Sequence, residues 1–239
     1  MIGICIMIIA LGAVALTLFL LEKLRKYSVK ETMIKSIASF LFICLAVYCH
    51  HQSGQQLFGT FVIVALVFGL MGDIWLDFKY VFPEHSKPFT YAGFTVFGLG
   101  HILYISGMIF LYDMSGWEFI DIFTKVILPI IIGFAVGTIN VFLGKPMKLN
   151  FGKFKWIVWL YGSLLFSMIA TGFTLALSQL FQNVTYNMMF IGGVLFAISD
   201  LILSGTYFGE NHEKPFDLIS NAVTYYAAQY IIAFSLFFL

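Results

Sequence analysis

Eight stretches of mostly apolar residues, each close to the 20 or so that cross a bilayer core as a helix, follow one another along this chain with short connections between them. They run from 2 to 21, 33 to 49, 57 to 76, 89 to 112, 122 to 143, 154 to 177, 187 to 204 and 217 to 238. In hydrocarbon every backbone N–H and C=O must find a partner inside the protein, and segments of this length meet that demand as α-helices. The expected fold is all-α: a polytopic membrane protein of eight transmembrane helices forming a single domain over residues 1–239. Composition agrees, since 61% of the 239 residues are hydrophobic and 10% charged, with a mean hydropathy of +0.96, whereas soluble domains run near 45–50% apolar and 25% charged.

With eight spans the connections alternate sides. Those after spans one, three, five and seven carry Lys23, Arg25, Lys26, Lys30, Lys35, Lys79, Lys87, Lys145, Lys148, Lys153, Lys155 and Lys214, and the opposite side has only Lys125 of the 13 basic residues. The positive-inside rule then predicts a multi-pass protein of the plasma membrane, or of the cytoplasmic membrane in a bacterium, with both termini outside the cytoplasm. A net charge of +1 spread over helix ends offers nucleic acid no basic patch, and nothing marks a protein partner. The expected partners are membrane lipids. Cys5, Cys44 and Cys49 lack the spacing of a zinc site or a disulfide framework and read as free buried thiols.

An ionised carboxylate in mid-membrane costs about 2.5–3.5 kcal/mol on insertion scales, so a buried acid calls for a partner, water or a role. Two acids stand out, Asp73 after Gly72 near the end of span three and Asp200 after Ser199 near the end of span seven. Both segments continue with Leu at the third following position and Tyr at the seventh, as Leu76 and Tyr80 and as Leu203 and Tyr207, which hints at a four-plus-four repeat. Asp77 shares the face of Asp73 but lies a turn nearer the membrane surface and reads as solvated. Span four aligns Gly98, His101 and Tyr104, and span eight aligns Tyr225, Tyr226 and Gln229, each set turned to the bundle interior. Gly133 and Gly137 in span five, with Ser163, Ser167, Thr171 and Thr174 in span six, read as helix-packing seams. No phosphate loop or serine-nucleophile elbow is present. His101 is the one histidine well inside a span, since His85 and His212 are in loops and His50 and His51 at a helix end, so no metal and no cofactor is expected.

These motifs resemble the lysoplasmalogenase family of membrane proteins, the YhhN-like group that hydrolyses the vinyl ether bond of lysoplasmalogens. The resemblance covers nearly the whole chain. It rests on Gly72-Asp73 with Leu76, on Gly98 to His101 and Tyr104, on Phe196 with Ser199-Asp200, and on Tyr226-Ala227-Ala228-Gln229 with Ile231 and Ile232. It implies that the family's paired acids fall on Asp73 and Asp200 and its span-two lysine on Lys35, although Ser36 stands where a proline often follows. The implied substrate is a lysophospholipid and the products a fatty aldehyde and glycerophosphocholine or glycerophosphoethanolamine.

Vinyl ether hydrolysis begins with a proton added to the carbon remote from oxygen, which gives an oxocarbenium ion for water to attack. A neutral acid beside an anion suits this chemistry, and two close carboxyl groups in a low-dielectric site hold one proton between them. Asp73 and Asp200 are therefore the expected catalytic pair, with the division of labour open. His101, Tyr104, Ser199, Tyr226 and Gln229 are expected to support the acids or the substrate, and Lys35 or a loop lysine to meet the lipid phosphate. Two other classes fit parts of the pattern: a proton- or cation-coupled transporter using the same intramembrane acids, and a lipid-binding protein, which needs no acid pair.

Overall fold

The computed structural model describes residues 2–25, 28–53, 56–112, 114–209 and 214–239; Lys26 and His212, assigned above to loops, lie outside these. Among the described residues there are eight long helices and no strand. They are α1 (Ile2–Lys23), α2 (Val29–Ser53), α3 (Gln56–Val81), α4 (Ser86–Leu111), α5 (Phe119–Gly144), α6 (Lys155–Ser178), α7 (Val184–Phe208) and α8 (Pro215–Phe234). The first seven are long and apolar enough to cross a membrane. The eighth is the more polar because it carries Asp217, Asn221, Thr224, Tyr225, Tyr226 and Gln229. Of these Tyr225, Tyr226 and Gln229 are buried against its neighbours. The protein is an all-α, multi-pass integral membrane protein.

Small residues mark the faces that meet. On α1, apolar all round, the buried stripe is Cys5, Gly12, Ala15 and Phe19, while Ile2, Met7, Val14 and Leu18 are exposed, the lipid-facing set. On α5 the buried positions are Pro129, Gly133, Gly137 and Gly144. A Cβ added at Gly133 would run into Ser167, and one at Gly137 into Ser163, so α5 and α6 meet along the expected seam at backbone distance. Within α5, residues Phe123–Ile127 form a π-helical turn in which the Leu128 N–H donates to the Phe123 carbonyl. Pro129 explains it, because proline has no N–H and its ring collides with the carbonyl four residues back, and the wider turn relieves that collision.

Neighbour relations repeat between the two halves. In the first, α1 packs on α2, α2 on α3 and α3 on α4; in the second, α5 packs on α6, α6 on α7 and α7 on α8. The halves join where α4 meets α6 and where α8 meets α2. Tyr80 and Tyr207, the matched tyrosines of the two similar segments, face each other with ring centroids 6.0 Å apart.

Candidate functional site

Helical spacing assembles the charged part of the site. On α2, Glu31, Lys35 and Ser39 follow at four-residue steps and share one face; on α3, Asp73 and Asp77 do the same. These faces meet, and Lys35 Nζ lies 3.0 Å from Asp77 Oδ1 and 3.4 Å from Asp73 Oδ1. Lys23, in the last turn of α1, reaches Glu31 Oε1 at 3.4 Å and Asp77 Oδ1 at 3.7 Å. Three carboxyl groups thus surround two ammonium groups. Asp77 is 1% exposed and Glu31 0%, so the expectation of a solvated Asp77 is corrected. The approach of α1 and α2 closes over it, and the two lysines take the place of water.

Asp73 is held by hydroxyl groups as well. Ser39 Oγ donates to Asp73 Oδ2 at 2.7 Å and the Tyr225 hydroxyl donates to the same oxygen at 2.9 Å. Behind Tyr225, Gln229 Nε2 donates to its oxygen at 3.1 Å, and the Tyr104 hydroxyl donates to Gln229 Oε1 at 3.3 Å. The Tyr226 hydroxyl lies 2.9 Å from Ser39 Oγ and donates to the Lys35 carbonyl at 3.1 Å. Four helices therefore fix one carboxyl group, and each donor in the chain is itself tied down.

Asp200 has a different setting. The Tyr161 hydroxyl of α6 donates to its Oδ2, and among the described residues no lysine or arginine forms an ion pair with it. The rings of Phe97 and Phe196 link the two acids' tyrosines: Phe97 is 6.4 Å from Tyr161 and 6.1 Å from Tyr225, and Phe196 is 5.4 Å from Tyr225. Asp73 is tied to the lysine cluster and Asp200 to Tyr161.

Both acids nonetheless line one cavity in the half of the bundle that carries the basic loops. Its wall carries Lys23, Lys35, Asp73 and Asp77 from the first three helices and, from α5 and α6, the mostly apolar set Asn140, Val141, Val158, Leu165 and Phe166. Tyr226 and Ser199 are also on the wall, whereas His101, Tyr104 and Gln229 are not. Those three form a layer behind it. His101 is 1% exposed, packs on the rings of Tyr161 and Phe196 at 5.3 and 5.0 Å, and has no hydrogen bond at either ring nitrogen. Ser199 ties two helices, with Asn221 Nδ2 donating to its carbonyl and to its Oγ, both at 2.8 Å. Lys35 faces carboxylates, which makes it their counter-ion.

Several members of the site go beyond the residues expected from the sequence. Lys23 and Glu31 are legible in hindsight, because Glu31 and Lys35 on one helix and Asp73 and Asp77 on another are charged pairs at the same spacing. Ser39 lies one turn further along that face. Nothing in the sequence distinguishes Tyr161 from the other tyrosines of the spans. Among the described residues no three His, Cys, Asp or Glu side chains converge on a point that would hold a metal ion.

Searches among curated proteins and among solved structures return no match to this chain. A family profile described as the YhhN family matches residues 30–236, a range that takes in both acids, their hydrogen-bonded tyrosines and Lys35. With that span matched, the chain belongs to the YhhN family.

Proposed function

We propose that this protein is a membrane-embedded lysoplasmalogenase, hydrolysing the vinyl ether bond of a lysoplasmalogen to a fatty aldehyde and glycerophosphocholine or glycerophosphoethanolamine. Family membership supports the reaction class. The observation that carries the reading is that two acids in different electrostatic settings line one half-apolar cavity: Asp73 beside an ammonium group, and Asp200 with a tyrosine and, among the described residues, no lysine or arginine in an ion pair with it. An uncompensated charge in the membrane interior is costly, so Asp200 suits the part of proton donor and Asp73 that of fixed anion.

Asp200 gives its proton to the carbon remote from oxygen, and the double-bond electrons form the new C–H bond. The oxocarbenium ion left behind is stabilised by the Asp73 carboxylate, much as paired carboxyl groups stabilise the similar cation in glycosidases. Water adds to the cationic carbon and returns a proton to Asp200. The resulting hemiacetal breaks its C–O bond, its hydroxyl proton moving to the leaving oxygen, and releases aldehyde and the glycerophospho alcohol. Tyr161 holds Asp200 in the orientation for the first step; Ser39 and Tyr225 hold Asp73 for the second. The basic loops place this end of the bundle, in the same proposal, on the cytoplasmic side.

The test is aldehyde release by the purified protein from a lysoplasmalogen and from its saturated alkyl-ether analogue. Aldehyde is expected from the first alone. Asp200→Asn and Asp73→Asn are each expected to lower the rate by about 10²-fold or more, the usual worth of a positioned acid or base. No aldehyde from folded protein, or full activity in either variant, overturns the reading.

A further inference from the structure

The charged part of the cavity wall and its two acids have parts in the chemistry above, but the mostly apolar part between α5, α6 and α7 has none. Its geometry is that of an opening. Helix α5 packs along α6 and makes no comparable packing with α7. Leu201, next in sequence to Asp200, lines the cavity and is also 48% exposed, so it sits on a rim. Asn140 and Val141, both half-buried, line the cavity from α5. The exposed rim belongs to helices long and apolar enough to cross a membrane, for which the expected surroundings are hydrocarbon.

Gly162 gives the opening a path inward. It follows Tyr161, the partner of Asp200, and lines the same cavity. A Cβ added at Gly162 meets no atom within 4 Å, whereas Gly133 and Gly137 of the facing helix are filled by serines. Glycine weakens a helix interior relative to alanine; helix packing explains the two on α5 but not Gly162, which differs from the equally open Gly205 in lining the cavity. Open space at Gly162, in the cavity that Asp200 also lines, fits a hydrocarbon chain.

We infer that the gap between α5 and α7 admits the chain of a single-chain lipid sideways from the bilayer, and that Gly162 keeps clear its path to Asp200. This rests on the lipid-hydrolysing reading above. The headgroup then lies toward Lys23, Lys35 and Asn221, and the chain remains in contact with α5, α6 and the membrane throughout. Leu201 and Gly162 decide which chains fit.

The probe is a saturated alkyl-ether lysophospholipid with a photoreactive diazirine in mid-chain, irradiated with the full-length protein in lipid nanodiscs and mapped by mass spectrometry. Label is expected in 137–141, 158–166 and at Leu201; label confined to α1 through α4 overturns the inference. Gly162→Phe, which fills the path, is expected to reduce labelling by roughly tenfold, one decade in affinity, with an unchanged unfolding midpoint. Leu201→Trp, which narrows the rim, serves as a second variant, and undiminished labelling in both also overturns it. Because the probe lacks the double bond, the two readings separate. Label in the expected segments without aldehyde release from lysoplasmalogen refutes the activity and keeps the portal; aldehyde release with label elsewhere does the reverse.

Discussion

Lys35→Met tests whether the charged cluster holds the bundle together. The substitution keeps a long apolar stem and removes the ammonium group, leaving Lys23 as the remaining cation among Glu31, Asp73 and Asp77. The side chains of Lys35, Asp77 and Asp73 are only 13%, 2% and 6% exposed, so the pair belongs with buried ion pairs. Breaking one of these by removing a partner costs about 3–5 kcal/mol, against roughly 0–1 kcal/mol for an exposed pair. At about 2–4 °C per kcal/mol for a chain of this size, the unfolding midpoint in detergent should fall by roughly 6–20 °C. Asp77→Asn added to Lys35→Met removes one of the stranded charges, and the double variant should be more stable than the sum of the single losses by about 0.5–3 kcal/mol. A Lys35→Met midpoint within about 2 °C of the wild type, about 1 kcal/mol at most on that scale, would refute the reasoning. Strict additivity in the double variant would refute the coupling.

Two further predictions concern the layers around the cluster, each read from unfolding midpoints. Tyr225→Phe removes a donor to Asp73 and strands Gln229 Nε2, at about 1–3 kcal/mol for the unsatisfied group; adding Gln229→Leu together with Tyr104→Phe, whose hydroxyl donates to the same amide, should recover part of that loss, and no recovery would refute the stranded amide. Gly137→Val should destabilise by about 1–3 kcal/mol through overpacking against Ser163. Gly205→Ala is its control, since a Cβ there meets nothing within 4 Å, and equal losses in the two would refute the seam.

Hydropathy made the helices and their number legible, because a bilayer constrains a chain more strictly than water does. Twenty apolar residues have one way to satisfy their backbone, and acids buried among them have few places to go. Asp73 and Asp200 were visible for that reason, and both are on the wall of one cavity. The same saturation with apolar residues hid which face of each helix turns inward. On α1, Leu18 faces lipid and Phe19 is buried, and hydropathy does not separate them. Nor does spacing along a helix say whether a polar residue near its end meets water or a partner, which is why Asp77 read as solvated and is instead enclosed by lysines from two other helices. The site depends on contacts between positions far apart in the chain: Lys35 with Asp77, Tyr161 with Asp200, Tyr225 with Asp73. The sequence by itself determined that this is a bundle of membrane-crossing helices carrying acids that need an explanation. Only the tertiary structure decided which hydroxyl and ammonium groups answer them, because that follows from how eight similar cylinders pack, and small residues rather than hydropathy set that packing.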